Sequence, residues 1–222
     1  MPQDHHSKSV YYQGNHPGHN PGGVLIALEG LDGVGKTTQG HLLATALKDR
    51  EPRVVLTHEP TQGRFGQELR RLLAQGRQGL SPVQELELFT ADRREHVSSV
   101  ILPALASGAV VISDRYYYSS MAYQGARGLD VSEIQRQNEV FAPIPDLVII
   151  LTLPLDQILA RLAQRPPQVW DAYEQADYLV KVGEIYAQMR GPHLVRVDTQ
   201  SPALTVHQNI MGLVQPRLPK SD

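Results

Sequence analysis

The chain contains no cysteine among its 222 residues. A disulfide, a thiolate nucleophile and a cysteine-ligated zinc are therefore excluded, and the composition is compatible with a reducing compartment. No apolar run approaches the ~20 residues that span a bilayer, and neither end of the sequence carries the apolar core of a signal peptide. We therefore expect a cytoplasmic protein that does not interact with a membrane.

The chain also lacks a strong charge of either sign. Its 21 lysines and arginines and 23 aspartates and glutamates leave a formal net charge of −2. This balance provides no broad basic field for a nucleic-acid polymer or an anionic membrane, so any charge that binds phosphate must be local. With 41% hydrophobic and 20% charged residues, the length fits one α/β domain with a full core. We expect small-molecule substrates.

Hydrophobic periodicity is absent from the first residues of the chain. Met1–Gly23 is rich in Gly, Pro, Asn and His, and such a segment buries too little apolar surface to offset its ordering entropy. We therefore predict a disordered N-terminal tail at 1–23, a single domain at 24–214 and a C-terminal tail at 215–222.

From Val24 onward, short apolar runs alternate with helical patterns. Five runs predict strands: Val24–Leu28, Arg53–Thr57, Ala109–Ser113, Asp146–Leu151 and Leu194–Val197. Seven segments predict helices: Thr38–Leu47, Phe65–Gln75, Pro82–Ala106, Val131–Phe141, Leu155–Gln164, Glu174–Arg190 and Pro202–Leu213. Nearly all of the strands are apolar throughout, which is typical of parallel strands covered on both faces. We predict an α/β fold with a doubly wound, five-stranded parallel sheet flanked by helices.

The segment Gly30–Thr37 fits the pattern G-x-x-x-x-G-K-[S/T] between the first predicted strand and the first predicted helix. Glycines let the backbone curl so that successive N–H groups point at phosphate oxygens, and the following helix N-terminus adds partial positive charge. Lys36 is expected to reach the β- and γ-phosphates, and Thr37 to offer a hydroxyl to Mg²⁺. The strand and helix on either side favour a phosphate-binding loop over a glycine-rich turn with a solvated lysine.

Charged residues follow the first three predicted strands. Asp32 follows the first, Glu59 the second, and the pair Asp114-Arg115 the third. Ligands of doubly wound sheets bind beyond the carboxyl ends of the strands, so these side chains are expected in the site. Asp114 and Arg115 could position a metal-bound water and neutralise a second phosphate group. The alternative is a purely structural ion pair.

One long predicted helix carries a pair of residues suited to a flat base. Phe89 and Arg93 are four residues apart and therefore share a helix face. Phe89 would stack on the base while Arg93 donates to a ring carbonyl. An aromatic residue at this spacing also fits an ordinary core position.

Three blocks of sequence together resemble the thymidylate kinases, P-loop enzymes that transfer the γ-phosphoryl group of ATP to thymidine monophosphate (dTMP). The blocks are Leu28–Gln39, Phe89–Arg93, and Asp114–Tyr116 with Ser119–Gly125. The resemblance extends from about Val24 to Leu213. It implies a P-loop NTPase-type three-layer sandwich with a short lid at about 165–174, ATP and Mg²⁺ as cofactors, and a homodimer.

The resemblance also implies roles for individual residues. The ATP-binding residues are Gly30, Leu31, Asp32, Gly33, Val34, Gly35, Lys36, Thr37 and Thr38. The dTMP-binding residues are Asp32, Glu59, Phe89, Arg93, Arg115, Ser120, Tyr123 and Gln124. The catalytic residues are Lys36, Asp32, Arg115 and Arg165, and the metal-binding residues are Thr37 and Asp114. Asp32 would hold the sugar 3′-hydroxyl, Arg115 the acceptor phosphate, and Arg93 the thymine O4. Tyr123 would exclude a ribose 2′-hydroxyl.

The chain departs from the family pattern after its second predicted strand. The family often reads Arg-Glu-Pro-Gly-Gly-Thr there, whereas this chain reads Thr57–Gly63, with His58 in the position of the arginine. Arg64 or Arg70 is therefore expected to assist in holding the acceptor phosphate.

A second departure concerns the lid and the phosphate-binding loop. Ala172 occupies a position where the lid commonly carries an arginine, and Gly33 occupies a loop position that is arginine in one branch of the family. Arg165, with Arg161 as the second candidate, is therefore expected to carry the charge that meets the γ-phosphate.

Two alternatives remain open at this stage. One is a kinase for another deoxynucleotide or for a deoxynucleoside. The other is a nucleotide-binding paralogue without turnover, which Ala172 and His58 suggest. A P-loop GTPase is less well supported because the chain has no Asn-Lys-x-Asp motif for reading guanine.

Overall fold

The computed structural model describes residues 22–49, 53–75, 79–164 and 176–218. Most of the predicted N-terminal tail, the whole predicted lid, and Arg165 within it lie outside these ranges. The described strands and helices are, in chain order, β1 (Val24–Glu29), α1 (Lys36–Lys48), β2 (Val54–His58), α2 (Arg64–Ala74), α3 (Pro82–His96), α4 (Leu102–Ala106), β3 (Val110–Asp114), α5 (Tyr117–Gly125), α6 (Val131–Glu139), β4 (Leu147–Thr152), α7 (Leu155–Leu162), α8 (Ala176–Gln188), β5 (Leu194–Asp198) and α9 (Ala203–Val214).

The five strands form one parallel sheet in the order β2-β3-β1-β4-β5, which confirms the predicted architecture. The central strands β1, β3 and β4 are buried along almost their whole length. Asp114 at the end of β3 pairs with Leu28 on one side and His58 on the other. The carboxyl ends of β1, β2 and β3 therefore lie level at the edge where ligands of such sheets bind.

Each face of the sheet is covered by its own hydrophobic core. Residues of β1 alternate between them, since Ile26 and Leu28 belong to one core and Leu25 and Ala27 to the other. The first core includes side chains of α1, α7 and α9, and the second includes side chains of α5 and α6. Coverage on both faces explains why the strands are apolar throughout rather than alternating.

Helix α3 starts as its sequence indicates. The Ser81 hydroxyl accepts a hydrogen bond from the Gln84 backbone N–H, the Gln84 side chain accepts one from the Ser81 N–H, and Pro82 occupies the first turn. The helical path continues to Ala106 through a π-helical turn at Val97–Ile101. Pro103 has no N–H to donate back into that turn, which accounts for the widened backbone.

Helix α5 was not predicted from the sequence. Most of its side chains are buried, so it shows no amphipathic period. Its first turn is capped from a distant strand, because the Glu29 carboxylate accepts hydrogen bonds from the backbone N–H groups of Tyr116 (2.7 Å) and Ser119 (3.2 Å). A cap supplied by tertiary structure leaves no local signal.

The first and last described residues pack against the rest of the domain. A Cβ atom on Gly23 would lie 2.6 Å from the Ala109 carbonyl oxygen, so this glycine runs close against the start of β3. Leu218, which follows a 3₁₀ turn at Gln215–Arg217, packs against the first core. Within the described ranges, no helix has the length and apolar character required to cross a membrane.

Candidate active site

The loop between β1 and α1 requires glycine at particular positions. Gly30 has a φ of 127°, and a Cβ atom there would lie 2.4 Å from the Leu151 carbonyl oxygen. Gly33 has a φ of 84°, so an L-residue at this position would be strained. Because this position is glycine and not arginine, the loop supplies no cation of its own here. An arginine that faces the loop must come from another element.

Lys36, at the start of α1, folds back over this loop. Its Nζ donates to the carbonyl oxygens of Gly30 (3.0 Å) and Leu31 (2.8 Å) and lies 3.9 Å from an Asp32 carboxylate oxygen. Burial, reinforced by the charge of Arg115, lowers the pKa of Lys36 to about 8. The ammonium group is thus held at the loop, where a nucleotide phosphate would replace the carbonyl oxygens as its partner.

Thr37 and Asp114 bring two oxygen donors together beside the loop. The Thr37 hydroxyl donates to an Asp114 carboxylate oxygen at 2.5 Å. Mg²⁺ prefers oxygen ligands and usually combines one or two protein groups with water and substrate phosphates. These two side chains fit that requirement, and their role as metal ligands stays a prediction.

Arg115 lies at the centre of the site in an unusual backbone conformation, with a φ of 74°. Its Nη2 donates to Asp32 (2.7 Å) and Tyr123 (3.2 Å), and its Nη1 donates to Ser119 (2.8 Å). Burial opposes its charge, but Asp32 together with Tyr123, Tyr186 and Glu29 outweighs burial and holds the pKa of Arg115 above its usual range. The ion pair of Arg115 is with Asp32 and not with the adjacent Asp114, which leaves Asp114 to Thr37.

Sequence analysis assigned no role to Glu29, which is buried beneath Arg115. Its second carboxylate oxygen accepts from the Ser119 hydroxyl (2.6 Å) and the Tyr186 hydroxyl (2.9 Å), and burial raises the pKa of Glu29. By anchoring Ser119 it also supports the guanidinium group above. A lone carboxylate at the end of the apolar strand β1 was the available signal, but its partners come from distant elements.

Two cavities adjoin at this edge of the sheet. The larger, of about 860 Å³, is lined by residues of the loop and α1, among them Lys36 and Thr37, and by the ends of β2 and β3, with His58 and Asp114. Arg161 of α7 also lines it. The smaller, of about 190 Å³, is lined by Pro60, Leu73, Phe89, Ser119, Ser120, Tyr123 and Gln124. Asp32 and Arg115 line both cavities.

Phe89 and Arg93 take different positions around the smaller cavity. Phe89 is half-buried and lines it directly. Arg93 is only 1% exposed and lies behind the wall, where its Nη2 donates to the Ser120 hydroxyl (3.1 Å), its Nη1 to Asn138 (2.7 Å) and its Nε to Glu59 (2.8 Å). A guanidinium has five N–H groups, and the three bonds named here do not use all of them. A contact of Arg93 with a bound ligand therefore stays a prediction.

The predicted substitutes for the missing family arginines occupy distinct places. Arg70 donates to the carbonyl oxygens of Pro60 and Thr61 and so holds the loop after β2. Arg64 is exposed, and its guanidinium lies 5.6 Å from the centre of the Phe65 ring. Neither is among the described residues that line the larger cavity, whereas His58 is.

Arg161, on the last turn of α7, reaches the phosphate-binding loop. Its Nη1 donates to the Gly33 carbonyl oxygen at 3.0 Å, and the side chain lines the larger cavity. The second candidate of the sequence analysis therefore lies beside the loop that lacks its own arginine.

A phosphate-binding loop at the switch point of a parallel sheet, joined by a shared Asp and Arg to a second cavity, defines a P-loop phosphotransferase with separate places for a phosphate donor and an acceptor. The model of the thymidylate kinase family matches residues 28–210. The chain belongs to the thymidylate kinase family, whose members are ATP-dependent nucleoside monophosphate kinases, and the resemblance drawn from the sequence is confirmed.

Individual relatives agree with this assignment. A thymidylate kinase of Akkermansia muciniphila is 42% identical over 197 residues, which cover 89% of this chain and 94% of that relative. One of Xanthomonas campestris pv. campestris is 44% identical over 202 residues, covering 89% and 87% respectively. The solved thymidylate kinase of Ehrlichia chaffeensis superposes with a TM-score of 0.70 at 31% identity, covering 88% of this chain and all of that structure.

Proposed function

We propose that this chain transfers the γ-phosphoryl group of ATP to dTMP, giving ADP and thymidine diphosphate. The observation that carries the proposal is the pair of adjoining cavities that share Asp32 and Arg115. One is bounded by the phosphate-binding loop, and the other by an aromatic side chain and polar groups suited to a base. We also propose a cytoplasmic location, where ATP is available, and no nucleic-acid polymer as a substrate.

The donor side of the reaction would be served by the larger cavity. Lys36 would contact the β- and γ-phosphates, and Arg115 would hold the acceptor phosphate opposite them. An oxygen of the acceptor phosphate forms the new bond to the γ-phosphorus as the bond to the β,γ-bridging oxygen breaks, in line and with no covalent enzyme intermediate. Thr37 and Asp114 would hold Mg²⁺, which when bound neutralises charge on the phosphate oxygens. Catalysis then rests on positioning and electrostatic stabilisation.

The acceptor side would be served by the smaller cavity. Phe89 would stack on thymine, while Ser120 and Gln124 would face its polar edge, with Arg93 behind Ser120 as the predicted donor to the thymine O4. Tyr123 would crowd out a ribose 2′-hydroxyl. Glu59 has both carboxylate oxygens engaged with His96 and Arg93, so we assign it to positioning Arg93 and not to contact with dTMP.

The test is an ADP-release assay with ATP and Mg²⁺ across five acceptors, namely the monophosphates of thymidine, deoxyuridine, deoxycytidine (dCMP), deoxyadenosine and deoxyguanosine. The proposal expects the highest kcat/KM with thymidine monophosphate. A higher kcat/KM with another acceptor would replace it with the neighbouring-kinase alternative. Nucleotide binding by calorimetry without ADP release would identify a paralogue that no longer transfers phosphate.

We further propose that the protein is a homodimer that pairs through the surface formed by α3 and α6. A groove of about 410 Å³ lies between these helices and includes the apolar side chains of Val83, Leu86, Leu129 and Ile134. Val83 is 52% exposed there. Sedimentation should show a dimer that Val83→Lys converts to a monomer, whereas Leu204→Lys, at a 66% exposed position of α9, leaves it unchanged. A monomeric parent would refute the proposal.

A further inference from the structure

A chain of hydrogen-bonded side chains runs behind the two cavities. The Thr57 hydroxyl lies 2.7 Å from His96 Nε2, and His96 Nδ1 lies 2.9 Å from one carboxylate oxygen of Glu59. The other Glu59 oxygen accepts from Arg93 Nε at 2.8 Å, and Arg93 continues to Ser120. The chain thus begins at the larger cavity, which Thr57 and Glu59 line, and ends at the smaller one, which Ser120 lines.

The central members of this chain are almost fully buried. Glu59, Arg93 and His96 are 5%, 1% and 2% exposed. Buried charges are tolerated only when they are paired and hydrogen-bonded, so each partner constrains the next. Burial alone would raise the pKa of Glu59, but Arg93 and His96 outweigh burial and lower it. The carboxylate is therefore ionised, and each of its oxygens has a different partner.

The contacts also define the hydrogen positions on the imidazole. A carboxylate only accepts, so His96 Nδ1 carries a proton and donates to Glu59. When the ring is neutral, Nε2 then accepts from the Thr57 hydroxyl. Thr57 thereby holds the tautomer in which His96 can restrain the carboxylate.

We propose that His96 is a positioning residue for base recognition. By occupying one oxygen of Glu59, it leaves the other to Arg93 and fixes the guanidinium against Ser120 at the wall of the smaller cavity. A guanidinium group only donates hydrogen bonds, so in this orientation it favours a carbonyl over an amino group at C4 of a pyrimidine. Without His96, one Glu59 oxygen loses its partner, and the carboxylate that holds Arg93 in this orientation is free to turn. This inference rests on the proposed function.

The experiment compares His96→Leu, His96→Asn and Thr57→Val with the parent. His96→Leu should raise KM for dTMP about tenfold, the effect typical of losing one hydrogen bond to a charged group. It should leave KM for ATP unchanged and lower the dTMP-over-dCMP ratio of kcat/KM by a similar factor. His96→Asn retains a donor near the position of Nδ1 and should recover most of the ratio. His207→Leu, on α9 across the sheet, is the matched control.

A merely structural role would give a different pattern. Equal losses toward dTMP, dCMP and ATP in His96→Leu, without recovery in His96→Asn, would overturn the proposal. If His96→Leu fails to fold, the near-isosteric Thr57→Val decides instead, and an unchanged dTMP-over-dCMP ratio in that variant would overturn it. Failure of the proposed function is separate, because it would appear as the parent's own preference for another acceptor.

Discussion

At the scale of single residues, Lys36 is an ammonium group held in place before any phosphate binds. Two loop carbonyl oxygens orient it, and it is 6% exposed. Its contacts are with a loop and not with the apolar core, so its charge can be removed while the fold is retained. We predict that Lys36→Met lowers kcat by about 10²–10³-fold, the usual cost of losing one electrostatic contact to a transition state. Kinetics and thermal melting check this, with the exposed Lys48→Met as control, and near-parental turnover would contradict it.

The pH dependence of the free enzyme should report the same side chain. Because burial and Arg115 lower the pKa of Lys36 to about 8, the unliganded enzyme loses this charge as the pH rises through that value. We predict that kcat/KM for ATP falls above about pH 8, approaching tenfold per pH unit. The fall in kcat should come at higher pH, since bound phosphates favour the ammonium form. A flat kcat/KM profile up to about pH 9 would contradict the prediction.

Tyr123 offers the site both a ring and a hydroxyl. The hydroxyl accepts from Arg115 and donates to Asp32 at 3.3 Å, and the Arg115 guanidinium lies 5.0 Å from the ring centre. We predict that Tyr123→Phe lowers kcat/KM several-fold, about 1 kcal/mol for the lost hydrogen bonds, while keeping the preference for deoxyribose. Tyr123→Ala should accept ribothymidine monophosphate better. An unchanged sugar preference in the Ala variant would remove the role of the ring.

At the scale of elements, the loop after β2 is held by the helices α2 and α3. The Thr61 hydroxyl donates to Asp92 of α3 at 2.5 Å, and Arg70 of α2 donates to backbone carbonyls of the same loop. Asp92 is 1% exposed. Both terminal nitrogens of Arg70 are therefore engaged in shaping this loop, and a contact of Arg70 with the acceptor phosphate stays a prediction.

Helix α7 brings a further cation to the phosphate-binding loop, because Arg161 donates to the Gly33 carbonyl oxygen. We predict that Arg161→Ala lowers kcat about tenfold with little change in KM for ATP, because a contact formed mainly in the transition state affects rate and not ground-state binding. Arg165→Ala should lower kcat more strongly. Steady-state kinetics of both variants and the double variant check this, with the exposed Arg136→Ala of α6 as control. Parental turnover in all of them would show that the charge comes from elsewhere.

At the scale of the whole molecule, the domain begins where the backbone of Gly23 meets the start of β3 and Val24 donates to the Ala109 carbonyl oxygen at 3.1 Å. We predict that deletion of Met1–Pro21 changes neither the melting temperature nor kcat, since a segment without apolar periodicity adds little to a core. Differential scanning calorimetry and the ADP-release assay check this. A marked loss of activity or of dimer on truncation would reveal a docking role for the segment.

The sequence by itself determined the elements whose signals are local. The apolar strand runs, the glycine spacing of Gly30–Gly35 and the Ser81 capping box depend on residues close together along the chain, so their outcome follows from backbone chemistry. The five-stranded parallel sheet and the position of Lys36 and Thr37 beside it were predictable for that reason.

Tertiary structure alone decided which polar side chains pair. Arg115 bonds Asp32 and not its neighbour Asp114, and helix α5 begins because Glu29, far away in sequence, accepts from its first N–H groups. His96, whose sequence position marks no function, meets Glu59 only because α3 packs beside the end of β2. Such choices depend on which strand and helix ends adjoin in space, and a buried charge takes whichever partner the packing places within reach.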